Sequence, residues 1–178
     1  LLADSLSGKT SLIHSEESET WINLHNDLRI LPDSKSFVWS SESSGHAHLE
    51  LRGMDGSLIR PITKGPWVVD DVLALDAKRR RVYFSGNADD ARERHVYVMS
   101  LDTKTPNSPT QVSLYSGWHD AVFSDDARVF VDTFSNENTP PQVRLFDAAG
   151  KELATLEANT VDDDHPYRPY LDNHRSPE

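Results

Sequence analysis

The stretch WHDAVFSDDARVFVDTFSNENTPPQVRLFD, residues 118–147, decides the fold. It begins with an apolar run that ends at Val122 and Phe123. The polar segment from Ser124 to Arg128 has the composition of a tight turn. The residues from Val129 to Phe134 are β-branched and aromatic, which is typical of a buried strand. This half of the stretch therefore predicts a β hairpin.

The second half of the stretch predicts two more strands. We expect a loop from Ser135 to Gln142 because this segment is rich in Ser, Asn and Pro. A third strand follows at Val143 to Phe146, and the turn from Asp147 to Gly150 leads to a fourth at Leu153 to Leu156. The four strands together make one antiparallel, blade-like unit of about forty residues.

The rest of the chain repeats this unit. The residues that begin the third strand recur at intervals of 47: Leu49, Val96 and Val143. The predicted second strands recur in the same order: Phe37–Trp39, Val82–Phe84 and Val129–Val131. Four strands in a period of about 40 to 50 residues are typical of a β propeller. We therefore predict an all-β fold, a β-propeller fragment with about three four-stranded antiparallel blades and part of a preceding one.

Tryptophans mark the start of each repeat. Trp21, Trp67 and Trp118 each open a unit, at intervals of 46 and 51 residues. Because they recur with the repeat, we predict that all three are core residues at the junctions between blades.

The repeat also sets the predicted boundaries. Residues 1–20 are interpreted as the end of a preceding blade, with Ser11–His14 as its last strand. Residues 159–178 are polar, contain three prolines and have the composition of a connector. The chain starts at Leu1 without an initiator Met, so we expect it to be an internal piece of a longer protein. Complete blades are predicted at 21–66, 67–117 and 118–158.

Composition excludes several classes of function. The net charge is −11 and no basic stripe is present, so we predict no nucleic-acid partner. The chain has no Cys, which excludes disulfides and thiolate metal sites, and we predict no cofactor. No apolar run reaches the length of a membrane span. The basic run Arg79–Arg81 lies in a predicted turn and is interpreted as a solvated hairpin tip.

The sequence contains no catalytic motif. None of its eight glycines is followed two places later by Ser, so the Gly-x-Ser-x-Gly elbow of serine hydrolases is absent. His119 and Asp120 are adjacent, and neighbours on a strand point to opposite faces, which favours a structural role. His46 and His48 share one strand face and could form half of a metal site. Without a third ligand, their pattern favours polar cross-strand pairing, and we predict no metal.

Three segments resemble one known family: Leu31–Glu42 (LPDSKSFVWSSE), Ile62–Asp70 (ITKGPWVVD) and Val131–Asn136 (VDTFSN). They are similar to the N-terminal β propeller of dipeptidyl peptidase IV, of bacterial type, in the prolyl oligopeptidase family. The chain resembles only the C-terminal part of that propeller. Its end, His165–Tyr167 through His174–Glu178, resembles the join to an α/β-hydrolase domain. The resemblance covers nearly the whole chain.

The resemblance implies a serine exopeptidase that releases X-Pro or X-Ala dipeptides from peptide N-termini. In that family the propeller has about eight blades and covers the hydrolase domain, so that only suitable peptides enter. The catalytic Ser, Asp and His lie in the hydrolase domain, and this chain ends before it. We therefore expect the chain alone to be inactive. The implied partners are the hydrolase domain, the remaining blades and a peptide substrate, and the implied location is periplasmic or secreted.

Two pairs of residues in this sequence, Glu16 with Glu17 and Trp21 with Asn23, are candidates for the substrate site that the resemblance implies. The family's paired glutamates, which bind the substrate ammonium group, lie in an earlier blade in a Tyr-Glu-Glu-like context. Glu16 and Glu17 lack this context, and their polar surroundings favour a solvated loop between blades. In relatives, the segment that enters the blade starting here at Trp21 approaches the dipeptide pocket. By position this suggests Trp21 and Asn23 as substrate-binding residues, although the family's aromatic and Arg pair is absent there.

Two other interpretations remain open at this stage. One is a non-catalytic propeller scaffold that binds protein partners, and the other is a β sandwich whose repeats are accidental. A hydrolase pattern after Glu178 would favour the peptidase, whereas a stop codon would favour the scaffold. Three blades cannot close a propeller, so the open faces and the strand at Ser11–His14 also predict that this chain by itself self-associates.

Overall fold

The computed structural model describes residues 1–102 and 108–173, and the regular secondary structure of this part is almost entirely β. A 3₁₀ helix at Arg168–Asn173 follows the last strand. No helix among these residues has the length and the hydropathy needed to cross a membrane. The strands are β1 (Leu2–Ala3), β2 (Thr10–Ser11), β3 (Arg29–Ile30), β4 (Ser36–Ser41), β5 (His48–Gly53), β6 (Leu58–Pro61), β7 (Val69–Asp76), β8 (Arg81–Gly86), β9 (His95–Ser100), β10 (Thr110–Gln111), β11 (Trp118–Phe123), β12 (Val129–Asn136), β13 (Thr139–Asp147) and β14 (Glu152–Glu157).

The strands form three sheets of four strands each and one two-stranded pair. Sheet 1 contains β3 to β6, sheet 2 contains β7 to β10, and sheet 3 contains β11 to β14. In each sheet every strand pairs antiparallel with the next one in the sequence, which is the simplest arrangement that short polar turns allow. The predicted second strands are confirmed, because they lie in β4, β8 and β12.

Two apolar clusters fill the spaces between successive sheets. Strand β8 explains how one strand serves both clusters, since its side chains alternate between the two faces. Val82 and Phe84 belong to the cluster between sheets 1 and 2, whereas Tyr83 belongs to the cluster between sheets 2 and 3. Burying one large apolar side chain of this kind stabilises a fold by about 1.5–3 kcal/mol. Sheet 2 therefore packs against sheet 1 through one set of alternate side chains and against sheet 3 through the other set.

The hairpins between the first and second strands of each sheet share one backbone feature. Each has a residue other than Gly in the left-handed region, with φ between 50° and 52°: Ser34, Arg80 and Ala127. A left-handed residue with a Cβ costs roughly 1–2 kcal/mol. In each turn an Asp side chain accepts a backbone N–H and so supports this conformation: Asp33 from Lys35, Asp76 from Arg79 and Asp126 from Arg128.

The predicted loop from Ser135 to Gln142 is wrong. Strands β12 and β13 extend through it and leave only Glu137 and Asn138 between them. Pro140 and Pro141 lie near the start of β13, beside a register shift between Phe134 and Asn136, where a missing N–H is tolerated. The sequence also predicts a turn from Asp102 to Asn107 between the third and fourth strands of the second unit. Residues 103–107 of this turn and residues 174–178 of the predicted connector lie outside the described residues.

The strand predicted at Ser11–His14 is also largely wrong. Strand β2 contains only Thr10 and Ser11, which pair with β1. The backbone of Ile13 instead packs against the turn between β5 and β6, where its carbonyl oxygen occupies the space that a Cβ on Gly56 would need. Gly56 has φ of 82°, so both the turn and the close approach require glycine there.

The prediction that three tryptophans are junction core holds only for Trp67. This residue packs against the cluster between sheets 1 and 2. Trp21 is 75% exposed because it lies in the connection between β2 and β3, outside any strand. Trp118 is 55% exposed because it lies on the side of sheet 3 that faces away from sheet 2. The repeat period therefore predicted where these residues lie in the sequence, but not how deeply they are buried.

Candidate functional site

The two residues predicted to bind substrate lie together in the connection between β2 and β3. Trp21 Nε1 donates to Asn23 Oδ1 at 3.0 Å, and Asn23 Nδ2 donates to Glu42 Oε1 at 2.7 Å. Glu42 belongs to the connection between β4 and β5. These three residues are called the rim cluster below. The hydrogen bonds fix the orientation of the Trp21 indole while leaving most of its surface open to a ligand.

Glu16 lies close to the rim cluster in the sequence and is bound to sheet 1. Its Oε1 accepts a hydrogen bond from Trp39 Nε1 at 3.0 Å and contacts His14 Nε2 at 3.1 Å. The side chain of Glu16 is only 16% exposed, whereas Glu17 is exposed. The interpretation as a solvated loop is therefore wrong for Glu16, because sheet 1 supplies donors that draw this carboxylate inward.

The surroundings of Glu16 keep its carboxylate charged. Burial alone would raise its pKa, but the hydrogen bonds from Ser41, Trp39 and His14 lower it further than burial raises it. The ring of His25 lies 4.6 Å from that of Trp39 and closes the other side of the indole. Glu16 is thus a fixed negative charge beside an aromatic side chain, the chemistry that suits a cationic group.

The base of the connection is held by two bonds to sheet 2. Asp27 Oδ1 accepts the backbone N–H of Val72 at 2.8 Å, and Arg29 Nη2 donates to the carbonyl oxygen of Val72 at 2.7 Å. Asp27 is buried, so these bonds are protected from water. The rim cluster therefore sits on a connection that is anchored at both ends.

The histidines that the sequence singled out have structural partners. His48 Nδ1 contacts Thr63 Oγ1 at 3.1 Å, and its Nε2 contacts the carbonyl oxygen of Gly65 at 2.9 Å. The ring of His46 lies 6.3 Å from that of His48. Within residues 1–102 and 108–173, no three His, Cys, Asp or Glu side chains come together as metal ligands. Both nitrogens of His48 are engaged in the wall of sheet 1.

His95 occupies the matching position in sheet 2 and resembles part of a catalytic triad. Its Nδ1 lies 2.8 Å from Ser113 Oγ, and its Nε2 lies 2.7 Å from Glu93 Oε2. Ser113 is buried, however, and its hydroxyl oxygen accepts the N–H of Val96. Thr63 does the same for Leu49 in sheet 1. The arrangement is therefore a repeated structural feature, in which a hydroxyl and a histidine join the third strand to the segment beyond the fourth.

The neighbouring residues His119 and Asp120 lie on opposite faces of β11, as expected for a strand. His119 is fully buried, and its Nδ1 lies 2.7 Å from Asp132 Oδ2. Its Nε2 donates to the carbonyl oxygen of Tyr115 at 2.7 Å. Asp120 is exposed on the other face. The structure thus gives His119 a partner, Asp132, that the sequence did not identify.

A groove lies beside sheet 3. Its volume is about 860 Å³, and it is bounded by the hairpin between β12 and β13 and by residues 159–161. Tyr167 and Leu171 line its other side. Asn159 Nδ2 donates to the carbonyl oxygen of Pro141 at 3.0 Å and fixes one wall. Like the rim cluster, this groove involves a connection between the second and third strands of a sheet.

Curated proteins of related sequence match most of this chain. The family model described as the dipeptidyl peptidase IV N-terminal region matches residues 1–141. A probable dipeptidyl peptidase 4 of Aspergillus clavatus is 30% identical over 166 residues, which are 89% of this chain and 21% of that protein. The dipeptidyl peptidase 4 of Arthroderma otae is 33% identical over 125 residues, 69% of this chain and 16% of that protein. The chain thus spans about a fifth of the length of these curated relatives.

A solved structure supports the same relationship. The crystal structure of Porphyromonas gingivalis dipeptidyl peptidase 4 matches with a TM-score of 0.69 and 30% sequence identity, over 83% of this chain and 20% of that chain. The predicted fold class is therefore confirmed: the chain is an all-β propeller fragment with four-stranded antiparallel sheets, and the accidental β sandwich is excluded. Since the family model covers well over half of the residues, the chain belongs to the family of the dipeptidyl peptidase IV N-terminal region.

Proposed function

We propose that this chain borders the peptide site of a serine-type dipeptidyl peptidase that releases X-Pro or X-Ala dipeptides. The names of its relatives support the class of activity. The catalytic Ser, Asp and His would be supplied by a hydrolase domain, and this chain would contribute to substrate access. The units 21–66, 67–117 and 118–158 would be blades, with 1–20 completing an earlier blade and 159–178 leading towards the hydrolase domain.

The observation that carries this proposal is the rim cluster. Trp21 offers a large aromatic surface that is 75% exposed, and a chain of hydrogen bonds through Asn23 to Glu42 holds it in place. Exposed aromatic side chains that are already fixed lose little entropy on binding and contribute strongly to recognition. The indole would pack against the side chain of a bound peptide, and Asn23 would set its orientation.

Replacing Trp21 tests the proposal. In the protein that carries this chain, Trp21→Ala should lower kcat/KM for a Gly-Pro amide about tenfold, chiefly through a higher KM, because binding surface is lost. Asn23→Ala should have a smaller effect of the same kind, since it only frees the indole. Trp118→Ala is the matched control, because it removes an exposed tryptophan of sheet 3.

The outcome separates substrate contact from a structural role. Unchanged kinetic constants in Trp21→Ala would contradict the assignment of the rim cluster. An equal loss in Trp118→Ala would point to general destabilisation of the propeller. Absence of any peptidase activity in the unmodified protein would favour the non-catalytic scaffold that binds protein partners.

A further inference from the structure

A small cavity lies between sheets 2 and 3, where their turn regions meet. Its volume is about 250 Å³, and sheet 2 lines it with Arg79, Arg81 and Tyr83. Sheet 3 contributes Arg128 and the turn residues 147–149. Three arginines and one aspartate, Asp147, therefore line one cavity in a chain whose net charge is −11. This region includes the basic run that the sequence indicated to be a solvated hairpin tip.

The three arginines differ in their partners. Arg79 Nη1 donates to Asp76 at 2.9 Å, and Arg128 Nε donates to Asp126. Each of these bonds occupies one nitrogen, and a guanidinium carries five N–H donors in all. Within the described ranges, Arg81 has no carboxylate within ion-pair distance. Donors therefore remain on all three arginines, and Arg81 has no carboxylate to neutralise it.

Tyr83 adds a neutral donor to the cavity. Its ring is buried and packs against that of Phe123 at a tilt of 37°, with ring centres 4.7 Å apart. Burial raises the pKa of the Tyr83 hydroxyl, so the group stays protonated near neutral pH. The neighbouring Arg81 side chain lowers this pKa by less than burial raises it, and the protonated hydroxyl can donate to an acceptor in the cavity.

The opposite wall is fixed before any ligand arrives. Asp147 Oδ1 accepts the backbone N–H groups of Ala149 and Lys151, both at 2.9 Å, so its charge is partly satisfied within its own turn. The N–H of Ala148 donates to the carbonyl oxygen of Arg128 at 2.9 Å. Gly150, with φ of 86°, lets the turn press against the backbone of Val112. A preformed wall of this kind lowers the entropy lost on binding.

We propose that this cavity binds a small tetrahedral oxyanion of the phosphate or sulfate class. Arginine pairs with such anions through parallel N–H···O bonds, and a neutral tyrosine hydroxyl can donate to a further oxygen. The cavity is smaller than the roughly 300–1,000 Å³ of sites for drug-sized ligands, so a single small anion fits its size. The site shares no residue with the rim cluster and does not depend on the peptidase proposal.

Calorimetric titration of the protein that carries this chain tests the site. With inorganic phosphate or sulfate at constant ionic strength, we expect saturable binding to one site, and weaker binding of planar acetate. Arg81→Gln should raise Kd by at least about tenfold, because it removes a charge-assisted donor. Tyr83→Phe should raise Kd about threefold while it keeps the ring contact with Phe123.

Arg92→Gln is the matched control. Arg92 lies in the connection between β8 and β9 and its exposed guanidinium pairs with Asp90, so its replacement should leave Kd unchanged. The proposal is overturned by absence of saturable binding, by equal affinity for acetate, or by a Kd that neither Arg81→Gln nor Tyr83→Phe changes. An equal loss in Arg92→Gln would also overturn it, since only non-specific charge attraction would remain. If Arg81→Gln fails to fold, Tyr83→Phe decides alone.

Discussion

At the residue scale, the buried pair of His119 and Asp132 joins the first two strands of sheet 3 through their side chains. Both nitrogens of His119 face oxygen acceptors, Asp132 Oδ2 and the carbonyl of Tyr115. Asp132→Ala should lower the free energy of unfolding by about 1–3 kcal/mol, because it leaves a buried nitrogen of His119 without its hydrogen-bond partner. Urea titration measures the change. Asp163→Ala, whose pair with Arg168 is exposed, is the control and should change little.

A small effect of Asp132→Ala, similar to that of Asp163→Ala, would mean that the pair adds nothing to the stability of sheet 3. The sequence predicted a structural role for His119 from the alternation of its strand. It did not predict Asp132, because the partner depends on the pairing of β11 with β12. In that register Asp132 lies opposite Ala121, two residues from His119 on the same face. A single Asp within the apolar strand from Val129 to Phe134 was the available signal.

At the scale of the elements, the bond between Glu16 and Trp39 ties the connection after β2 to sheet 1. The pKa of Glu16 is lowered from its usual value of 4.5. This carboxylate is therefore still mostly charged at pH 4.5 and becomes protonated only at lower pH. A depressed carboxyl pKa contributes stability above the usual value, and this contribution is lost as the pH falls through the lowered pKa. The NMR signal of the Trp39 indole N–H should therefore move with a midpoint below pH 4.5.

Glu16→Gln provides the control for this titration. The amide keeps an oxygen that can accept from Trp39 but has no proton to gain in acid, so the pH-dependent movement of the signal should disappear. A midpoint at or above 4.5 in the unmodified protein would contradict the hydrogen bonds assigned to Glu16. The sequence could not reveal this bond, because it joins residues 23 positions apart through side chains that no local pattern couples.

The repeat explains which elements were predictable. Third strands recur at a fixed interval, and the second and third strands of sheets 1 and 2 are almost wholly buried, so their apolar composition identified them. His48 and His95 also stand 47 residues apart with a hydroxyl partner each, a signal in the sequence that was overlooked. The hairpin between β12 and β13 was missed because Pro and Asn normally indicate a loop, whereas here they lie beside a register shift near a strand end.

At the scale of the whole molecule, sheet 3 leaves an apolar face uncovered. Trp118 and Val122, on one face of β11, are 55% and 72% exposed, and Leu156 of β14 is 55% exposed. We therefore predict that this chain, prepared by itself, associates with other copies at micromolar concentration. Sedimentation velocity measures the result. A stable monomer of 20.0 kDa would contradict the prediction. Val122→Lys, which places a charge on the same face, should reduce the association.

We propose that this chain serves a dipeptidyl peptidase. Turnover of a Gly-Pro chromogenic amide by the protein that carries the chain tests it most directly, with the N-acetylated substrate as the control. We predict turnover that a serine-reactive inhibitor stops, none with the acetylated substrate, and none by the 178-residue chain alone. Failure of that protein to hydrolyse the free substrate, or equal hydrolysis of both substrates, would contradict the claim.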